Sequence, residues 1–190
     1  MRAWTTLCAA AAALALLAAL LATSVLPAGR VDWQADLVWH QPWRLWTGAL
    51  VHWSWHHLLA NLAGCLVLAL LGWASEPGGR AALAWFIAWP LTQLGLLLQP
   101  GLHRYGGLSG VLHAGVAVLV VMLWQRKGRE RALGAAIGLG LLLKLLSEQP
   151  LGAPLRTVIG WDVPIAPFAH LSGAAAGLLC GLLLLRGGKR

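Results

Sequence analysis

Six apolar stretches of about 15 to 21 residues, separated by turn-forming or charged segments, dominate this sequence. The hydrocarbon core of a bilayer, about 30 Å thick, requires about 20 apolar residues for each crossing helix. Hydrophobic residues make up 59% of the chain and charged residues only 11%, whereas a soluble domain carries about 25% charged residues. The pattern predicts an all-α, polytopic membrane protein, a bundle of six transmembrane helices in a single domain over residues 1–190. The predicted helices lie at approximately 7–26, 53–73, 81–98, 108–124, 132–146 and 166–185.

Two of these stretches have a second interpretation. The first follows Arg2 and ends in a turn-forming segment, as a cleaved signal peptide does. Its apolar run is longer than the roughly 7 to 15 residues of such peptides, so we expect a retained helix. The fifth stretch is short and contains Lys144, with Glu148 four residues later. We expect the Lys144 ammonium to extend toward the membrane surface.

The basic residues predict how the bundle is oriented. The net charge of +8 comes from residues between the apolar stretches and not from one stripe, which favours membrane topology over nucleic-acid binding. With the N-terminus inside, nine Lys and Arg residues fall on the inner side and four on the outer side, so we expect cytoplasmic termini. Segment 31–55 contains six of the twelve tryptophans and is predicted to lie in the outer interface. The three cysteines lie in apolar runs without metal-binding spacing, which argues against a disulfide framework or a thiolate metal cluster.

Polar side chains are costly in hydrocarbon, and here they cluster at the start of the second, fourth and sixth stretches, over residues 52–61, 106–110 and 169–173. These three helices enter the membrane from the same face, so their first turns lie at similar depth. Glycines at intervals of four (173, 177 and 181) and a smaller ridge at positions 110 and 114 would let the fourth and sixth helices approach closely. The three clusters are therefore expected to meet in one site.

The residue types in these clusters suit acyl transfer. Serine becomes a nucleophile when a base takes its proton, and histidine is the usual base near neutral pH. Ser109 and His170 could form that pair. The resulting oxyanion requires donors, which His57, the Asn61 amide and the backbone N–H of Ser109 could supply. The glycines around Ser109 leave room for a substrate.

These residues resemble the rhomboid family of intramembrane serine proteases, from about Trp43 to the end of the sixth stretch. The resemblance rests on Trp43-Arg44, on His52, His57 and Asn61, on Gly107-Leu108-Ser109-Gly110, and on Ala169-His170 with Gly173 and Gly177. It implies that Ser109 is the nucleophile and His170 the base, that His57 and Asn61 form the oxyanion hole, and that His52 supports the site from behind. Gly107, Trp43 and Arg44 are further supporting residues, with Arg44 expected to anchor the first outer loop.

One residue departs from the pattern of many bacterial rhomboids. Four residues after the serine they have a tyrosine that packs on the histidine, and here this position is His113. The segments YGGLSGVLH and DVPIAPFAHLSGAAAG look most similar to the rhombosortase branch. That similarity implies transmembrane protein substrates with a C-terminal Gly-Gly segment, an apolar helix and a basic tail. It also implies a bacterial inner membrane, with the site open to the periplasmic side.

Other chemistries fit less well. No carboxylate is evident as a third member beside Ser109 and His170, because Asp162 is expected in an outer loop. A Ser-His dyad without cofactor or metal is therefore predicted. His52 and His56 could share a metal, but no HExxH motif accompanies them. A small transporter would be expected to show paired broken spans or repeated halves. A catalytically inactive rhomboid-like binding module is the main alternative, and it would be expected to lack Ser109 or His170.

Overall fold

The computed structural model describes residues 1–22 and 27–186. Within these residues the chain forms seven α-helices and one pair of two-residue strands. The helices are α1 (Arg2–Leu21), α2 (Arg44–Thr47), α3 (Trp55–Ser75), α4 (Gly79–Gly95), α5 (Ser109–Trp124), α6 (Arg129–Glu148) and α7 (Pro167–Leu185). The strands are β1 (Trp33–Gln34) and β2 (Arg104–Tyr105), and they pair antiparallel. This pair is a small departure from the predicted all-α architecture.

Each of the six predicted spans coincides with one helix, although not all six are long apolar helices. Four helices are long and apolar enough to cross a membrane, namely α1, α3, α7 and α4 with its 3-10 extension to Leu98. Helix α5 is apolar but shorter, and α6 begins and ends with charged residues. The protein is therefore an integral membrane protein, whereas the count of six crossings stays a prediction.

Two helix boundaries differ from the prediction in ways that affect the rest of the molecule. Helix α1 begins at Arg2 and not at residue 7, and residues 23–26 of the predicted first span lie outside the described residues. Helix α6 covers Arg129–Glu148 where 132–146 was predicted. It is longer because charged residues form its first turn, and it ends where Gln149 adopts a left-handed conformation with φ 51°. The extension places Glu148 in the last turn of the helix.

The segment before α3 is held together by buried polar contacts, one of which reaches the loop before α5. Asp32 is fully buried and accepts hydrogen bonds from Arg44 (3.1 Å) and Arg104 (2.7 Å). These two cations compensate a carboxylate that would be costly to bury alone. Trp33 is also fully buried, although the tryptophans at positions 39, 43, 53 and 55 are exposed as an interfacial location requires.

Helix α5 lies at the centre of the bundle and packs against α3, α4, α6 and α7. Its approach to α7 is close because glycines line the contact. A Cβ added to Gly173 would lie 1.9 Å from the Gly110 carbonyl oxygen, and one added to Gly177 would lie 2.1 Å from the Ala114 carbonyl oxygen. The predicted small-residue ridges thus face each other and bring the first turns of α5 and α7 together.

Helix α1 is part of the same core. The Trp4 indole is fully buried, donates to the Leu68 carbonyl of α3 at 3.1 Å and packs on Trp85 of α4 at 4.8 Å between ring centroids. Gly72 of α3 leaves the space that the Trp4 ring fills. Residues 1–22 therefore have specific tertiary contacts with α3 and α4.

Candidate active site

Ser109 and His170 lie in hydrogen-bond contact. The Ser109 Oγ is 2.9 Å from the His170 Nε2. Ser109 is the first residue of α5, and His170 stands in the first turn of α7, which Pro167 begins. Proline suits the first helical turn because its missing N–H would have had no intrahelical acceptor there. Two residues 61 positions apart in the sequence thus meet because two helices start side by side.

The second ring nitrogen of His170 also has a partner. Its Nδ1 lies 2.7 Å from the Glu148 Oε2, at the end of α6. The other carboxylate oxygen of Glu148 pairs with the Lys144 ammonium one turn earlier on α6. The ring itself lies parallel to that of His113, with 4.2 Å between ring centroids and 10° between planes. The imidazole of His113 therefore packs on His170 at the position where many bacterial rhomboids have a tyrosine.

Glu148 is a site residue that sequence reasoning missed. The sequence predicted a serine-histidine dyad without a carboxylate and assigned Glu148 only as a partner of Lys144. In the structure a carboxylate does contact the histidine, from the side opposite the serine. The available signal was an acidic residue at the end of an apolar stretch, because ionisable groups in or near a span tend to be functional. Asp162 lies in the α6–α7 loop, 3.8 Å from His56, as a loop residue would.

The α3 residues face the same cavity as Ser109 and His170. His57 is in the first turn of α3, where the Ser54 hydroxyl caps the helix by accepting from the His57 N–H at 3.0 Å. The Asn61 amide is buried and donates one hydrogen bond to the His57 carbonyl at 2.9 Å. An amide has two N–H donors, so a second one is left for a ligand.

His52 stands behind His57, with its ring edge-on at 4.9 Å between centroids. Its Nδ1 lies 3.0 Å from the Leu50 carbonyl, so this nitrogen carries the proton. Burial, reinforced by the neighbouring imidazole of His57, lowers the pKa of His52 to about 4. His52 is therefore neutral at physiological pH. His56 does not pack with His52 and His57. Its ring stacks on Trp161 of the α6–α7 loop.

The loop before α5 leaves room for these side chains. Gly107 has φ 131°, a conformation that side-chain-bearing residues rarely adopt, and a Cβ there would lie 2.8 Å from the His57 Nε2. Tyr105, which sequence reasoning did not single out, donates its hydroxyl to the Gly107 carbonyl at 3.0 Å and lies 3.4 Å from the Ser109 Oγ. Burial raises the pKa of Tyr105, so its phenol stays a donor. The tyrosine thereby fixes the loop immediately before the serine.

Trp43 and Arg44 lie away from Ser109 and His170. Trp43 is half exposed, whereas Arg44 is buried. The Arg44 guanidinium donates to Gly29, Asp32 and Gln41 and so connects separate parts of the segment before α3. These contacts agree with a role of Arg44 in holding the segment before α3, and Ser109 is not among its partners.

A cavity of about 880 Å³ opens beside the serine and the histidine. Its walls come from α3, α5, α6 and the α6–α7 loop, and most of them are apolar. Its polar lining includes His57, Asn61, Ser109, His113 and His170. This combination suits a largely apolar ligand of which one polar group must be held and attacked.

The Rhomboid domain family matches residues 39–187, which is most of the chain and includes every site residue described above. The chain belongs to the rhomboid family. Members of this family are intramembrane serine proteases, so the family assignment agrees with a serine-histidine pair inside a bundle of apolar helices. The rhomboid match begins within the segment before α3 and ends after α7.

Relatives of this rhomboid chain include uncharacterized proteins of Mycobacterium tuberculosis and Mycobacterium bovis. Each is 31% identical over 151 residues, which cover 75% of this chain and 59% of the relative. The chain thus spans about three fifths of the length of these curated relatives. Since they are described as uncharacterized, they do not distinguish one rhomboid branch from another.

Proposed function

We propose that this rhomboid protein is an intramembrane serine endopeptidase in which Ser109 is the nucleophile and His170 the general base. The observation that carries the proposal is the 2.9 Å contact between the Ser109 Oγ and the His170 Nε2, two side chains that line a cavity between helices. A candidate base must lie within about 3.2 Å of the proton that it removes. The contact meets that requirement.

The proposed reaction has two halves. In the first, His170 takes the Ser109 proton at Nε2 while Oγ attacks a peptide carbonyl. The tetrahedral intermediate then loses its amine, which leaves with the proton that His170 held. In the second half, His170 activates a water in the same way, and the acyl bond to Ser109 is hydrolysed. The oxyanion formed in each half would be stabilised by the free Asn61 N–H, the His57 ring and the Ser109 backbone N–H, which has no acceptor inside α5.

The substrate class also belongs to the proposal. The cavity walls are mostly apolar, which supports a transmembrane segment as substrate, with its scissile bond brought to Ser109. A segment must leave the helical state before its carbonyl can be attacked. Glycine eases this because it is a poor helix former, by about 1 kcal/mol relative to alanine. We therefore propose a rhombosortase-type substrate with a C-terminal Gly-Gly segment, an apolar helix and a basic tail.

The test combines active-site labelling with cleavage of such a reporter. A fluorophosphonate probe should label the purified wild type, and a reporter with a Gly-Gly junction should be cut upon co-expression. Ser109→Ala and His170→Ala should each lower cleavage by about 10⁴-fold or more, as removal of the nucleophile or base does in soluble serine hydrolases. Labelling should disappear in Ser109→Ala.

Ser75→Ala is the matched control, because the Ser75 hydroxyl is engaged only with the Leu71 carbonyl on α3. It should behave as the wild type. Unchanged cleavage in Ser109→Ala would contradict the proposal, whereas a wild type that neither cleaves a transmembrane substrate nor reacts with the probe would favour the binding-module alternative. If other transmembrane substrates are cut but the Gly-Gly reporter is not, the substrate class alone is wrong.

A further inference from the structure

Glu148 is the one carboxylate among the described residues that contacts the proposed base. It lies in the last turn of α6, directly before the left-handed residue that ends the helix. Both side chains of the contact are shielded from solvent, with Glu148 9% and His170 7% exposed. A buried carboxylate is stable only when its oxygens are hydrogen-bonded or paired. Both oxygens of Glu148 meet this condition, one through His170 and one through Lys144.

The contact determines which nitrogen of His170 carries the proton. An ionised carboxylate only accepts hydrogen bonds, so the Nδ1 facing the Glu148 Oε2 must be the donor. In a neutral imidazole the other nitrogen, Nε2, is then an acceptor. Nε2 is the atom that faces the Ser109 hydroxyl. Glu148 thus selects the tautomer that can take the serine proton.

Lys144 contacts the carboxylate oxygen of Glu148 that does not face His170. It is one turn before Glu148 on α6, which places both side chains on the same helix face. Its side chain is about half exposed, and its ammonium compensates the Glu148 charge. The opposite face of the carboxylate is left to His170. The chain of contacts therefore runs from Lys144 through Glu148 and His170 to Ser109.

We propose that Glu148 is a positioning residue for His170, which fixes the ring and its tautomer and stabilises the imidazolium that forms when Ser109 is deprotonated. This inference rests on the proposed function. It makes the site a serine–histidine–glutamate arrangement in which Glu148 does not touch the substrate. Glu148 is supplied by α6, whereas the serine comes from α5 and the histidine from α7.

The test is Glu148→Gln in the full-length protein in detergent. Glutamine keeps the size of the side chain, but its amide can donate to the His170 Nδ1 and so favour the tautomer that cannot accept the serine proton. We expect kcat to fall by about 100-fold or more while KM changes little. The rate of fluorophosphonate labelling of Ser109 should fall in parallel. Glu148→Asp, which keeps the charge, should recover part of the lost rate.

The matched control is Glu130→Gln on the same helix. Glu130 pairs with Arg126 at the other end of α6, so its loss should leave kcat unchanged. If Glu148→Gln keeps the wild-type kcat, or if Glu130→Gln loses as much, the positioning role is overturned. Should Glu148→Gln give little folded protein, the labelling rate of its monodisperse fraction decides, and a wild-type rate there also overturns the role. An inactive wild type without Ser109-dependent cleavage would instead sink the proposed function, and this inference with it.

Discussion

His113 provides the flat surface on which the proposed base lies. Its ring is parallel to that of His170 at 4.2 Å, and its Nδ1 donates to the Ser109 carbonyl at 2.7 Å. The hydrogen bond holds the His113 ring to α5, and the stack holds the His170 ring against it. His113→Ala should therefore loosen the base. An aromatic pair contributes about 1 kcal/mol beyond its buried area, so we expect turnover to fall by about 5-fold in a reporter-cleavage assay.

His113→Phe separates the two contacts of this side chain, because phenylalanine keeps the ring and lacks the Nδ1 donor. We expect its turnover to be close to that of the wild type. Equal losses in the alanine and phenylalanine variants would assign the effect to the hydrogen bond and contradict the stacking role.

The sequence predicts site residues whose positions follow from where helices start, and it misses residues whose contacts depend on the shape of a loop. Ser109 and His170 were placed together because helices entering from the same face start at the same depth, a rule that needs no side-chain detail. Glu148 could not be placed in this way. Its contact with His170 depends on where α6 ends and on how the following loop returns to α7, and neither is encoded in a local pattern. Tyr105 was missed for the same reason, because it acts through the shape of the loop before Ser109.

Helices α5 and α7 hold the serine and the histidine at contact distance only because small residues line their interface. An alanine normally stabilises a helix interior relative to glycine, by about 1 kcal/mol. At Gly177, however, a Cβ would lie 2.1 Å from the Ala114 carbonyl oxygen, which is backbone and cannot move aside alone. Gly177→Ala should therefore separate the helices, lower the melting temperature in detergent and slow cleavage.

Gly181→Ala is the comparison, one turn further along α7. There the new Cβ would meet only the Val121 side chain at 3.1 Å, and a side chain can shift by a few tenths of an ångström. It should melt close to the wild type. If both variants melt at the same temperature, the close backbone approach at Gly177 does not control the position of α7.

The helices themselves were predictable where length and apolar character agree. The long apolar stretches gave helices α1, α3, α4 and α7 within a few residues. Helix α6 was underestimated because its charged ends interrupt the apolar run, although they continue the helix for several residues on both sides. The strand pair β1–β2 was not predictable, since two-residue strands leave no periodic signal and the pairing joins segments about 70 residues apart.

The surface of the bundle as a whole carries the apolar side chains that a lipid environment requires. On α3, residues 59, 66, 67, 70 and 73 are exposed and apolar, and on α6 residues 133, 139, 142, 143 and 146 are exposed leucines. Helix α6 thus presents apolar side chains to its surroundings, although its ends are charged. The exposed leucines support a membrane crossing by α6. If α6 crosses, the α5–α6 turn and the α6–α7 loop lie on opposite sides of the membrane.

Orientation can be tested with single cysteines on these two connections. The native cysteines at positions 8, 65 and 180 are buried, so the wild type should give little background with a membrane-impermeant maleimide. Lys127 lies beside Arg126 in the α5–α6 turn, with Arg129 and Arg131 following in α6, and Leu155 is half exposed in the α6–α7 loop. Because basic residues favour the cytoplasmic side, Leu155→Cys should be labelled in intact cells and Lys127→Cys only after permeabilisation. The reverse pattern, in variants that still react with a fluorophosphonate, would place the serine and its cavity on the cytoplasmic side and overturn the proposed topology.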